Sequence, residues 1–390
     1  KNTLSSVYKL GFCLIGDPAV KMAYPEFGMK VTTVNGQSVD GNSISFKALE
    51  KITVEGEVLD ASGQLVTDFT GIVNPTVKDS KVTVTCLKNS NKDDSPAFTF
   101  TDYPNTIFIG NDSVRNGKFS FTFTVPKDIS YSNLQGKMNL YAVDTESGNE
   151  AQGNFDNFIV GGTSDTAETD TIGPEIRALY LNDTTFVDGG QVNTTPYFVA
   201  ELWDKSGVNI TGSSVGHDMM LVIDESTVLS YNLNSYYELL PGEEGTGIVK
   251  FPIPALEPGK HTAEFWVWDI LNNSTVRTFT FEVVEGLKPF LFDVIATPGI
   301  AREQVTFHLM HNRPESRMRV GIMVYDLAGR QLWKHEESGT SGLFENYTVS
   351  WDLTSGGARM RPGVYIYRAA ISTDNSKDAT KARKFIILGE

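Results

Sequence analysis

A chain of 390 residues with 35 glycines, 16 prolines, 23 phenylalanines and 14 tyrosines has room for about two to four domains, and its composition favours short strands and turns over helices. The formal net charge of −15 repels nucleic acid and anionic lipid and attracts cations, calcium among them. The two cysteines, Cys13 and Cys86, form no CxxC and no paired Cys/His spacing, which argues against a structural zinc, and no run approaches the ~20 apolar residues of a membrane span.

The first stretch reads differently from the rest. Leu10–Ile15 is apolar and is stopped by Gly16-Asp17-Pro18, the pattern of a buried strand ending in a turn. The helical stretch Asn2–Lys9 before it is too short to supply a core. Residues 1–25 are therefore expected to close an earlier domain, with the chain beginning inside a larger parent.

From Met29 the texture alternates. Ile52–Val58, Val82–Cys86, Phe119–Val125, Lys137–Val143 and Phe155–Val160 read as strands. Phe119-Ser-Phe-Thr-Phe-Thr-Val125 is the clearest, with one aromatic and one hydroxylated face. These strands predict an Ig-like β-sandwich over 26–162. Gly161–Thr171 is small, polar and acidic, and reads as a linker. A second sandwich is expected over 173–285, from strands at Arg177–Leu181, Tyr197–Leu202, Met219–Ile223, Gly247–Phe251, Thr262–Asp269 and Arg277–Val284. The cluster Pro252, Pro254, Pro258, Gly259 marks a corner. A third is expected over 289–390, from Val305–Leu309, Arg319–Asp326, Gln331–His335, Tyr347–Leu353, Val364–Ile371 and Ala382–Leu388. Asp326–Gly329 and Ser355–Gly357 are its hairpin turns. The fold class is all-β, with no helix beyond two turns after residue 25.

Catalytic signals are missing. Both cysteines sit in apolar or alternating runs, read as small buried residues rather than thiolates. The histidines are His217, His261, His308, His311 and His335. None stands in a nucleophile or metal motif, and no GxSxG, P-loop, GxGxxG or HExxH occurs. No catalytic residue and no cofactor is assigned. Trp203-Asp204 and Trp268-Asp269 each place an aspartate at a strand end before a Gly or Asn turn. The simpler reading has each aspartate capping its own turn, with the tryptophan in the core. The sharper one makes Asp204, Asn209, Asp269 and Asn272 oxygen ligands for calcium, joined by Asp165, Glu168 or Asp170 of the linker.

Three segments in order carry a family resemblance. Leu14–Pro25 resembles the last strand and Gly-Asp-Pro turn of the gingipain-like cysteine peptidase domain. Asp204–Asn209, Gly216-His217-Asp218, Asn232–Asn234 and Trp268–Ser274 resemble the module behind that domain in the type IX secretion sortase. His311–Pro314, Val324–Arg330 and Gly363–Arg368 are similar to the Ig-like C-terminal sorting domain of proteins exported by that system. Thr297-Pro298-Gly299-Ile300 departs from the Pro-Asn-Pro turn at which such domains often begin.

The resemblance implies that residues 1–25 end a caspase-like α/β peptidase domain and that 289–390 form a sorting or docking domain. It implies a cell-surface cysteine peptidase of a Gram-negative bacterium, which cleaves sorting domains from cargo proteins and attaches the cargo to lipopolysaccharide. The last domain would bind an outer-membrane β-barrel protein of the PorV type. The family's catalytic Cys and His match no position here. Two alternatives stand beside this reading. One is the rear of a secreted gingipain-like cargo protease. The other is a carbohydrate-binding or adhesive string of sandwiches, with Tyr236-Tyr237 and Trp266/Trp268 as a sugar platform.

Overall fold

The computed structural model describes residues 24–88, 96–165, 170–212, 216–240, 245–373 and 375–389. Cys13, the Leu10–Ile15 run and the Asn2–Lys9 stretch lie outside them. Within them the chain is all-β, and one short 3₁₀ turn, Asn234–Tyr236, is the helical content. No described helix is long and apolar enough to cross a membrane. Three separate apolar cores follow one another, over Met29–Val160, Leu181–Val283 and Leu291–Ile387.

The first core is filled by Phe119, Phe121 and Phe123, whose rings follow one another along one face of Lys118–Thr124. The opposite face carries hydroxyls, and Thr122 meets Thr53 across the strand pair at 3.0 Å. Here the sheet does more than form one half of a sandwich. Strands Lys137–Asp144, Glu150–Phe155, Phe27–Val34, Lys51–Leu59, Lys118–Thr124, Asp112–Arg115 and Gly71–Lys78 pair in turn, and the last pairs with the first, closing a ring. A three-stranded sheet that includes Ile44–Ala48 and Phe158–Thr163 packs on it. Closure leaves few free edges.

Gly71–Lys78 contains Pro75, which sequence rules would bar from a central strand. Its neighbours resolve the conflict. Gly71–Val73 pair with Asp112–Val114, and Thr76–Lys78 pair with Thr106–Ile109. Pro75 falls in the gap between the two, where its carbonyl accepts the Gly110 N–H at 3.1 Å, so its missing N–H faces a connection instead of a ladder.

Val82–Thr85 and Thr99–Asp102 form a hairpin arm paired only with itself, with Leu87, Phe98 and Phe100 exposed. Cys86 lies on this arm and is exposed, not the small buried residue its alternating run suggests. The alternation is real, but the arm has no sheet to pack against.

The middle and last domains are two-sheet sandwiches. The middle one faces a four-stranded sheet containing Tyr197–Trp203 with a five-stranded sheet containing Gly259–Trp268. The last faces Leu291–Thr297, Val305–His311 and Tyr347–Trp351 with a five-stranded sheet in the order Ile300–Ala301, Ala379–Ile387, Gly363–Ser372, Met318–Tyr325, Gln331–Gly339. The final strand is not an edge over its last residues. Ile386 and Ile387 pair with Val364 and Gly363 on one side and with Ile300 and Ala301 on the other. The long edge strand of that sheet is Gln331–Gly339.

Candidate functional site

Two strands of the middle domain end in Trp-Asp, and both aspartates cap the turns that follow. Asp204 Oδ1 accepts the Ser206 and Gly207 N–H groups at 2.8 and 2.9 Å. Asp269 Oδ1 accepts those of Leu271 and Asn273 at 2.9 and 2.7 Å, and its Oδ2 accepts the Asn273 side-chain amide at 2.7 Å. These are Asx turns, as the simpler reading has it. The tryptophans are half-buried, not core. The Arg177 guanidinium lies 5.0 Å from the Trp203 ring centre, and the His217 ring lies 4.5 Å from that of Trp268.

The two turns bring their carboxylates together with one from the linker. Asp170, Asp204 and Asp269 each place a carboxylate oxygen within 4.8 Å of the others. Asp170 is tied down by the Ile172 N–H at 3.0 Å and the Ser206 hydroxyl at 3.3 Å, and its carbonyl accepts the Asn273 amide at 3.1 Å. Asp204 is 4% exposed and Asp269 fully buried. Burial pushes the Asp204 carboxyl up to about 6, assisted by the charges of Asp269 and Asp170 and opposed by the Gly207 and Ser206 amides. Burial raises Asp269 as well, while the Ile172 amide holds Asp170 below the usual range. Among the described acidic, histidine and cysteine side chains, these three are placed to hold a hard divalent cation, which prefers carboxylate and carbonyl oxygens. Without one, buried like charges are relieved by taking up a proton.

Asn209 and Asn272 also reach to the first domain, and the Asn272 Oδ1 is buried without a hydrogen-bond partner among the described residues. Their side-chain amides turn to Asp128 of the first domain, donating to Oδ2 at 3.3 Å and to Oδ1 at 2.8 Å. His217 Nδ1 lies 2.6 Å from Asp128 Oδ2, and the Lys127 N–H donates to the Ile270 carbonyl at 2.8 Å. Asp128, 9% exposed, is thus the centre of the joint between the first two domains. Nothing in its own neighbourhood, Pro126-Lys127-Asp128-Ile129, signals this role, because its partners come from loops far along the chain. Asp165 lies on the described part of the linker but is not among the clustered carboxylates, and Glu168 falls outside the described residues.

The second joint is built differently. Leu343 of the last domain packs against Tyr180, Val199 and Ile248 on the outer face of the middle domain. Arg313, 1% exposed, donates through Nη2 to the Leu287 and Lys288 carbonyls of the linker and through Nη1 to Asn312. A cleft of about 320 Å³ beside Leu343 is lined by Tyr197, Tyr236, Glu238, Lys250, Glu315 and Glu345.

Four of the five histidines have a bonding partner among the described residues. His261 bridges Asp224 and the Glu257 carbonyl, His335 meets Glu337, and His311 bonds Ser341 at 2.8 Å, with burial pushing its pKa down to about 4. The proposed sugar platform does not assemble: Tyr237 is in the core at 6% exposure, while Trp266 and Trp268 stand half-buried on another sheet.

No protein-family model and no curated protein matches the chain. Among solved structures, the crystal structure of dimeric latent PorU from Porphyromonas gingivalis is 38% identical, covering 96% of this chain and 35% of that one, with a TM-score of 0.43. In sequence, the chain is similar to PorU over nearly its whole length. It spans about a third of that protein's length. A tetra-tandem repeat from the extending region of a large adhesion protein is 15% identical over 94% of this chain and 74% of that one, with a TM-score of 0.20. Alpha-2-macroglobulin of E. coli is 10% identical over 89% and 31%, also at 0.20. At these scores the superpositions say nothing about function.

Proposed function

We propose that this chain is the non-catalytic, all-β rear of a cell-surface gingipain-like cysteine peptidase of the type IX secretion sortase kind. Its last domain docks to an outer-membrane β-barrel protein of the PorV type, and the two domains before it position an upstream peptidase for cargo proteins. The observation that carries the reading is the order of the three motif-bearing segments along the chain, with which the sequence identity to PorU agrees. The motifs also fall at structurally distinct places. Asp204–Asn209 and Trp268–Ser274 form the end of the middle domain that meets the first, and Gly363–Arg368 lies in a central strand of the last.

Four of the five histidines bond to other groups, and Cys86 sits on an exposed arm. The test uses the parent protein in cells. Deleting Pro289–Glu390 is expected to release it from the surface, and unchanged retention overturns the docking reading. The isolated chain is expected not to cleave a sorting-domain peptide. Thiol-dependent cleavage lost on Cys86→Ala overturns the non-catalytic reading.

A further inference from the structure

The overall charge of −15 conceals an asymmetry. Residues 289–390 hold 13 Lys and Arg against 11 Asp and Glu, a net of +2, which leaves −17 on the first 288 residues. The cations are not spread evenly over the last domain. Its five-stranded sheet turns Val324, Tyr365, Phe385 and Ile387 to the core, so the alternate residues form the outer face.

Register places that face row by row. Ile300, Ile386 and Val364 lie side by side at the end nearest the C-terminus, with Ile300 56% and Val364 40% exposed. The next row is Lys384, Ile366 and Tyr325. The third is Ala382, Arg368, Met323 and Lys334. These three rows contain no acidic residue. Lys334 has Glu336 at 2.9 Å, one row further on. Arg368 and Lys384 are exposed and have no carboxylate partner among the described residues.

We infer that this outer face rests on an anionic lipid surface. Exposed aliphatic side chains beside unpaired cations are the chemistry of a peripheral membrane contact, in which the aliphatics enter the headgroup boundary and the cations meet phosphates. The face belongs to an open sheet whose exposed aliphatics and cations lie side by side in rows, which suits a flat lipid surface. The charge asymmetry supplies direction. An anionic surface draws the +2 domain and repels the remaining −17, so the chain approaches with its last domain first. The net-charge argument against anionic lipid treats the charge as uniform, and it is not.

The test needs no barrel partner, so it stands or falls apart from the docking reading above. The full chain is floated with vesicles of phosphatidylcholine, and of phosphatidylcholine with about a third phosphatidylglycerol, at ~0.1 M NaCl, where the Debye length is about 10 Å. Partition into the anionic vesicles is expected to exceed that into neutral ones by at least about tenfold, and to fall at ~0.5 M NaCl. Arg368→Gln with Lys384→Gln should lower it about 30-fold, from roughly fivefold per cation. Ile300→Ser with Val364→Ser should lower it at both salt concentrations, with only a small fall in the unfolding midpoint because each side chain is about half exposed. Arg115→Gln with Lys118→Gln, in the first domain, should leave it unchanged. Equal partition into both vesicles, no partition at all, or full binding by either pair of face variants overturns the inference. So does capture by an acidic protein with none by vesicles.

Discussion

Asp204→Asn tests the electrostatics of the carboxylate trio most directly. Burial and two neighbouring carboxylates lift the Asp204 pKa from 3.8 to about 6. A folded-state value above the unfolded one means that the native state holds the proton more tightly. Stability from this group is therefore fully present below about pH 4 and is lost as pH rises through about 6. A shift of about two units corresponds to about 3 kcal/mol lost above that window. Asparagine keeps an Oδ1 for the Ser206 and Gly207 amides but accepts more weakly than a carboxylate, so the expected net gain is about 1–2 kcal/mol at pH ~7.5 in chelator, vanishing near pH 4. Denaturant unfolding read by tryptophan emission reports it, since Trp203, Trp266 and Trp268 all lie in this domain. A variant less stable than the parent at pH ~7.5 in chelator, or a gain that does not change with pH, refutes the reasoning. Calcium adds a second readout. If the trio shares an ion, calcium stabilises the parent and not the variant, and the sign of the substitution reverses in its presence.

Phe121→Ala removes a ring from the middle of the first core and should cost about 3–5 kcal/mol, measured by denaturant unfolding of that domain. Asp128→Ala leaves the Asn209 and Asn272 amides and His217 without their acceptor. Hydrogen exchange at 209–211 and 270–272 should speed up while the core strand 263–267 stays protected, and unchanged exchange would mean that Asp128 does not hold the joint. Pro75→Ala should change stability by less than about 1 kcal/mol, whereas Val73→Pro, in a stretch flanked by strands on both sides, should cost about 3 kcal/mol or more.

Strands were legible wherever one face is buried and the other wet. Phe119–Val125 and Tyr197–Leu202 lie within one residue of the observed strands, because alternation follows directly from a half-buried sheet. Phe155–Val160 reads as one strand in the sequence and is two, broken at Asp156-Asn157, because a bend between two sheets leaves the apolar count unchanged. Gly71–Lys78 was hidden by Pro75, whose tolerance depends on where two neighbouring strands stop. Ring closure in the first domain was not legible either, since it depends on which distant strands pair. At the candidate site, the aspartates were visible as strand-end caps, and the acidic linker offered further oxygens. The division of labour was not. Asn209 and Asn272 are near Asp204 and Asp269 in the chain, and nothing in that proximity shows that their amides meet Asp128 of the first domain.

The middle domain meets each neighbour through a buried polar group. At one end Asp128 is inserted between two of its loops, and at the other Arg313 holds the carbonyls of its exit linker while Leu343 seals the outer face. Flexible tethers have no reason to bury a carboxylate or a guanidinium, because desolvation then has to be offset by fixed partners. Joints built this way hold one geometry or come apart. The carboxylate trio sits on the same two loops that grip Asp128: Asp204 and Asn209 share one, Asp269 and Asn272 the other. Any change of charge at the trio, whether a proton taken up or a cation bound, therefore acts on loops that also fix the first domain. The stiffness of the first joint should therefore follow the ionisation of Asp204. Small-angle scattering of the full chain at about pH 4 and pH 7.5 measures that. The same maximum dimension and flexibility at both, in parent and Asp204→Asn alike, would show that the trio and the joint are independent.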